Sequence, residues 1–308
     1  MDPAVPPPET RTLERLSPPP RLVPLEIKIS ELTGGMLSGL GWFFLGFGLI
    51  FVWIFVLKAD LSSWRYSGEL SRAPARVEGC RRTGFSESSG RRGPSSYIYA
   101  NDFSFTRDDR VHRGRSYAHA CLEAGEAAVE FPKGRPELAR LQGMRRAPFS
   151  PAVLFILIFP GIGLIFVLSS VRTGLRDIGL LERGLMARAK AASSKPTNLR
   201  VNNQVVWEVT MSFRDRSGAE RRMTARTRDP LKLERDGVHS VFYDPDDPSE
   251  AIAVDALPQP LFSDASGRLT TDGWRRARLG LTPPCIALAA QLLYWAAALL
   301  RSRLAPPL

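Results

Sequence analysis

The chain has 308 residues, a net charge of +11 and a sequence pI near 10.1, with 44% hydrophobic residues. Three cysteines set no disulfide framework, and cations dispersed among nearly as many acids do not form the basic stripe of a nucleic-acid binder. The surplus positive charge suits anionic lipid headgroups or the cytoplasmic face of a membrane.

The first 24 residues hold eight prolines, at positions 3, 6, 7, 8, 18, 19, 20 and 24. Proline removes the N–H and fixes φ, so residues 1–35 are expected to form a disordered, polyproline-type tail. The two Pro-Pro-Pro runs also have the form of a ligand for a proline-reading domain. Residues 36–57 then form a charge-free apolar stretch, long enough for the ~20 residues of a membrane-spanning helix, with Trp42 and Trp53 suited to the two interfaces. About 35 residues containing five acids precede it, and its apolar run exceeds the ~7–15 residues of a signal peptide, so an uncleaved anchor is expected.

Residues 58–146 are expected to form a first small β-domain. Tyr97, Tyr99, Asn101, Phe103 and Phe105 alternate with smaller or polar residues, as in a strand with one buried face. A turn at Arg107-Asp108-Asp109 and a second strand complete a hairpin. The Gly- and Ser-rich run 84–96 is expected to be a flexible hairpin loop, since it lacks the glycine pattern of a phosphate cradle. Cys80 and Cys121 can pair in an oxidising compartment or remain two buried thiols. A metal site from Cys80, His112, His119 and Cys121 can also be drawn, but its ligands lack the tight pairs of a tetrahedral site, and exposed histidines explain the same residues.

A second apolar stretch, residues 147–171, carries Pro160-Gly161 at its midpoint, which fits either a kinked span or a hairpin returning to its own face. Leu175, Ile178, Leu181 and Leu185 recur at helical spacing opposite Arg172, Arg176 and Arg183, predicting an amphipathic connector helix over 172–192 that lies on headgroups or on the following domain. Residues 193–278 form the second expected β-domain. The third span, 279–300, is entered through Pro283-Pro284, holds Gln291, and has Trp274, Tyr294 and Trp295 as anchors; a tail, 301–308, follows.

The two soluble segments match each other. Val205, Trp207, Val209, Met211 and Phe213 repeat the first alternation 108 positions later, and a polar turn at Asp215-Arg216-Ser217-Gly218 and a second strand follow. Val129-Glu130-Phe131 and Pro136 fall opposite Val241-Phe242-Tyr243 and Pro248 at an offset of 112, and Ala75-Arg76-Val77 opposite Ala187-Arg188-Ala189. The fold class expected is a membrane protein with three transmembrane helices and two duplicated all-β domains, each a partly closed barrel or sandwich of about five strands.

The segment Val241-Phe242-Tyr243-Asp244-Pro245-Asp246-Asp247-Pro248-Ser249 resembles the Tyr-Asp-Pro-x-x-Pro-Ser motif of the bacterial membrane-protein family called domain of unknown function 3592. The resemblance covers residues 184–257 and implies a small all-β domain beside transmembrane helices, with no known activity. The first copy, Phe131-Pro132-Lys133-Gly134-Arg135-Pro136-Glu137, keeps the aromatic and the second proline and lacks Asp-Pro. Physically the motif is a strand stop, with Pro245 ending the ladder and Asp244 accepting from the turn backbone. A calcium site from Asp244, Asp246 and Asp247 is the sharper alternative, but the loop lacks the glycine and terminal glutamate of an EF-hand.

No hydrolase elbow, phosphate loop or zinc-protease motif occurs in the sequence, so no catalytic, cofactor-binding or metal residue is assigned and no cofactor is expected. The expected role is non-enzymatic: a multi-pass protein of the bacterial inner membrane that presents its β-domains to a protein partner, in contact with membrane lipids. An accessory subunit of a transport complex is the alternative. Lys and Arg within about 20 residues number two before and four after the first span, five and five around the second, and four and two around the third. These counts place both β-domains in the cytoplasm, whereas three simple crossings place them on opposite sides. Three crossings are retained as the working arrangement, with the hairpin at Pro160-Gly161 as the competing one.

Overall fold

The computed structural model describes residues 13, 16–88, 95–201, 204–227, 238–271 and 274–304. Its helices are α1 (Leu25–Thr33), α2 (Met36–Ile54), α3 (Ile158–Arg183) and α4 (Arg275–Leu304). The stretches Met36–Lys58, Pro151–Arg183 and Arg275–Arg301 are each long and apolar enough to cross a membrane. The chain divides into two compact units, Phe47–Pro160 and Met1–Gly46 with Gly161–Leu308.

The smaller unit carries a five-stranded antiparallel sheet of order β3-β2-β1-β4-β5, from β1 (Leu70–Ser88), β2 (Ser95–Arg107), β3 (Arg110–Ala118), β4 (Gly125–Pro132) and β5 (Arg140–Leu141). The sheet curls until its far edge meets the chain beyond β5, where Tyr117 and Arg145 exchange backbone hydrogen bonds of 2.7 and 3.1 Å. The loop expected over 84–96 is shorter than that, since β1 extends to Ser88 and β2 starts at Ser95; residues 89–94 lie outside the described residues. Asp108 and Asp109 both have positive φ, 51° and 56°, so β2 and β3 are joined by a two-residue turn of the mirror-image type that matches strand twist. Gly114 faces Phe103 across the ladder; a Cβ there would lie 2.6 Å from the ring, so the missing side chain lets the phenylalanine lie over β3.

The larger unit carries a second five-stranded antiparallel sheet, whose order β8-β7-β6-β9-β10 repeats that of the first. Its strands are β6 (Leu185–Val201), β7 (Gln204–Arg214), β8 (Glu220–Thr227), β9 (His239–Tyr243) and β10 (Ala251–Ala253). The register shifts repeat as well. In the first sheet they fall between Val77/Gly79 and Arg82/Ser86, in the second between Ala191/Ser193 and Pro196/Arg200, opposite equivalent residues of β2 and β7. In both β2 and β7 the buried set changes face part-way along. Ile98 and Ala100 are buried where Tyr97 is exposed, before Phe103 and Phe105 take over, and Val206 precedes Val209, Met211 and Phe213 in the same manner. The ladders revise the upstream correspondence by one pleat. Ala73 pairs with Val129 as Ala187 pairs with Val241, so the first strands match at an offset of 114 rather than 112. A two-residue slip preserves the buried face, which is why side-chain pattern alone does not detect it.

Pro160 does not turn the chain. It lies in the first turn of α3, where N–H groups have no α-helical acceptor, and residues Pro151–Leu157 before it form a 3₁₀ helix. The helix continues to Arg183, so the hairpin at Pro160-Gly161 is corrected to a continuous helix. Its exit differs from the connector expected over 172–192. Gly184, whose Cβ would lie 2.4 Å from the Leu180 carbonyl oxygen, ends the helix, and Leu185 begins β6. Helix α4 runs unbroken through Pro283-Pro284 and starts at Arg275, ahead of the predicted boundary of the span at 279.

The glycines of the apolar helices mark where they touch. Within the larger unit a Cβ at Gly41 would lie 2.9 Å from Phe166, one at Gly163 2.4 Å from the Leu45 nitrogen, and one at Gly46 2.6 Å from Ala287. Within the smaller unit a Cβ at Gly48 would lie 2.6 Å from Pro160. With no side chain at these positions the helix backbones approach closely.

The proline-rich tail is more ordered than its composition suggests. Leu13, Val23 and Ile27 are buried in one cluster with Leu180, Leu181, Phe242, Ile252, Leu257, Leu261 and Leu269. Arg21 donates to the Gly184 carbonyl at 2.8 Å and stacks 5.4 Å from the Phe242 ring centroid. The Leu-Glu-Ile-Lys-Ile-Ser-Glu-Leu segment after Pro24 has no proline, which frees it to form α1; the prolines at 3, 6, 7 and 8 lie outside the described residues.

Candidate functional site: an aromatic cleft beside the first sheet

The smaller unit contains a cleft of about 470 Å³ walled by Phe47, Phe51, Phe55, Phe149, Phe155 and Phe159, with Ser86 and Glu87 of β1 at one end. Phenylalanines at 47, 51 and 55 recur every fourth position and therefore stand on one helical face. Their rings form a file: 4.8 Å between the centroids of Phe47 and Phe51, 5.9 Å from Phe51 to Phe55, 5.0 Å from Phe55 to Phe149 and 4.9 Å from Phe149 to Phe85. Lys58 Nζ lies 4.8 Å from the Phe85 centroid, within cation–π reach.

Asp60 positions this wall. Its carboxylate accepts from the backbone N–H of Ser62 at 2.9 Å and of Arg146 at 2.8 Å, while its own N–H donates to the Phe149 carbonyl at 2.7 Å. The chains entering and leaving the domain are thus fastened together at the cleft. Burial works to raise the Asp60 pKa, but hydrogen bonds from Ser62 and Arg146 and the nearby Arg140 charge together hold it below the usual carboxylate range.

At the polar end, Glu87 Oε2 lies 2.8 Å from Arg145 Nη2 and 3.5 Å from His119 Nε2, and His119 Nδ1 is 2.9 Å from Ser96 Oγ. A mostly apolar cleft with a few charged groups at its lining is the general form of a small-molecule site.

The structure separates the residues of the drawn metal set. Cys80 and Cys121 form a disulfide, His112 stacks on Phe105 at 5.1 Å, and His119 belongs to the Glu87 cluster. Asn101, the ladder partner of Cys80, donates to the Ala120 carbonyl at 3.1 Å and accepts from Leu122 N at 2.9 Å, bracketing Cys121. In the Tyr-Asp-Pro segment, Asp244 accepts from Asp246 N at 2.9 Å and Asp247 from Ser249 N at 3.1 Å, so these carboxylates organise the turn. His239 is buried and paired with Asp255 at 2.7 Å. Among the described residues no group of three His, Cys, Asp or Glu side chains is placed to hold a metal ion.

A second groove of about 730 Å³ in the larger unit has a mixed lining, with Arg188, Lys190, Arg214, Arg216, Asp215 and Glu220 beside apolar residues such as Leu185 and Phe213. Asp215 serves the β7–β8 turn: it accepts from Ser217 N and Ala219 N and pairs with Arg221, and hydrogen bonds from the Ser217 hydroxyl and Arg221 lower its pKa to about 2.

Sequence reasoning did not find the cleft. Its phenylalanines lie in segments where apolar residues are expected in any case, and only their four-residue spacing carries a signal. No protein-family model matches the chain, and neither the curated proteins nor the solved structures include a significant match to it.

Proposed function

We propose that this chain is a non-enzymatic integral membrane protein that crosses the bilayer three times and presents two related β-domains to a protein partner. The observation that carries this reading is the direct attachment of the second sheet to an apolar helix; α3 passes into β6 through Gly184 alone. The shared strand order and paired bulges support an origin by duplication, and the Tyr-Asp-Pro motif supports kinship with the domain 3592 family.

Two observations bear on topology. The N-terminal segment and the second sheet share one hydrophobic cluster, so they occupy one side of the membrane, and the chain between them crosses an even number of times. With α3 continuous, α2 and α3 supply those two crossings. The Cys80–Cys121 disulfide supports a reading in which the first domain faces an oxidising compartment and the N-terminal segment and the second domain face the cytoplasm. This outweighs the cation count at the first span, because charge bias orients short loops and weakens beyond about 60 residues. Gln291, the polar residue of the third span, donates to the Gly46 carbonyl of α2 at 2.7 Å, so it serves helix packing.

The test uses Cys285→Ser protein with a single reporter, Ser67→Cys or Ser217→Cys, in intact cells. An impermeant thiol reagent is expected to label position 67 and not 217. Equal labelling, or the reverse, refutes the arrangement, and recovery in the soluble fraction without detergent refutes the membrane reading itself. Co-purification with a polytopic carrier would transfer support to the transport subunit.

A further inference from the structure

We infer that the aromatic cleft of the smaller unit binds the acyl chain of a single membrane phospholipid, with its phosphate-bearing head at the Arg145–Lys58 end. The inference rests on the membrane reading above. Three observations converge on it.

The first is the chemistry of the walls. Six phenylalanines line a cavity with two polar residues at one end, a lengthwise division that matches an amphiphile and not a uniformly polar or apolar molecule.

The second is size. An α-helix is at least ~10 Å across, so a helix would fill about 470 Å³ within roughly one turn, whereas a slender chain occupies the same volume lengthwise. A partner helix is therefore a poor fit.

The third is location. Five of the six phenylalanines belong to two stretches able to cross a membrane, Met36–Lys58 and Pro151–Arg183, while Phe149 and the Ser86–Glu87 end at β1 lie outside both and Lys58 is the last residue of the first. An occupant lying along the phenylalanines thus has its tail at hydrocarbon depth and its head where the sheet begins. Next to the lining, Arg145 is paired with Glu87 at 2.8 Å and Lys58 lies over Phe85, and these two cations supply positive charge for a phosphate at that end. The site is pre-formed, because Asp60 fixes Phe149 from the backbone side and Gly48 brings α2 against Pro160 at its floor.

The experiment uses full-length protein washed free of lipid in detergent, then incubated with dioleoylphosphatidylglycerol and examined by native mass spectrometry. Wild type is expected to retain one lipid in preference to higher stoichiometries. Val153→Trp, which fills the cleft from its lining, is expected to lower the singly bound fraction at least tenfold. Leu154→Trp, an equal change at a position outside the lining, is expected to retain it. Preservation of the Cys80–Cys121 disulfide in each variant certifies the fold of the domain. Lipid retained equally by Val153→Trp, or a graded ladder of bound lipids with no preferred single copy, overturns the proposal. Protein soluble without detergent overturns the membrane reading instead, so the two failures are distinguishable.

Discussion

The two sheets share strand order, bulges and the face change of β2 and β7, yet each completes its core differently, and one pair of positions shows why. In the first sheet the β4–β5 ladder pairs Glu130 with Arg140, joined by an ion pair of 2.8 Å on a buried carboxylate. The equivalent positions of the second sheet are Phe242 and Ile252, and they face Leu13, Val23 and Ile27 of the N-terminal segment. An apolar pair on the outer face must be covered, and the tail and α1 cover it. The ion pair is covered from within its own unit by Tyr66, whose ring centroid lies 3.8 Å from the Arg140 guanidinium; that sheet is also held by Cys80–Cys121 and by Asn101, where the second sheet has Ser194 and Val209. One topology is thus stabilised once by a covalent link and once by recruiting another part of the chain.

The largest expected effect comes from converting the second sheet toward the first. Phe242→Glu buries a charge without the arginine that accompanies Glu130, and should cost more than about 4 kcal/mol in the larger unit. Hydrogen exchange should show α1 and β9 losing protection together while β1–β4 keep theirs; protection retained in α1 would show that Phe242 does not hold the tail. Cys80→Ser should act on the other sheet. It opens a link across a sequence separation of 41 residues, for which loss of about 4 kcal/mol is expected. Denaturant unfolding read by peptides of β1–β3 should shift, while those of β6–β8 should not.

A smaller effect concerns α1. Burial, and secondarily the charge of Asp177, raise the Glu31 pKa to about 8. The folded state then keeps a proton that the unfolded chain releases near pH 4.5, so stability should fall as pH rises from about 4.5 to about 8 and level off above. Glu31→Gln should remove that slope and stabilise α1 by about 1–3 kcal/mol at pH 8 with little change at pH 4. A pH-independent difference between the two proteins would refute the assignment. The smallest change is Asn101→Val, which copies Val209 into the first sheet and leaves Leu122 N and the Ala120 carbonyl without their partner. A loss of about 1 kcal/mol is expected, measured as a lower unfolding midpoint with the disulfide intact.

Much of the first-order plan is legible because it is local. Charge-free runs of 22 to 25 residues give helices whatever surrounds them, and the alternation at 97–105 and 205–213 gives strands and their shared pattern. Prolines proved the least reliable guide. Pro160 sits in the first turn of α3, where no acceptor awaits its missing donor, but Pro283 and Pro284 lie well inside α4, which continues through them. The one-pleat offset of the first strands stayed hidden because either register buries the same face.

Sequence by itself determined the three apolar helices, the hairpin strands and the turn chemistry of Asp108-Asp109 and Asp244-Pro245, all set by neighbours within a few residues. Tertiary structure alone decided that Cys80 meets Cys121, that the tail covers Phe242, and that phenylalanines from residue 47 to residue 159 wall a single cleft. These contacts join residues distant along the chain, and their formation depends on the free energy gained when surfaces meet, which no local pattern encodes.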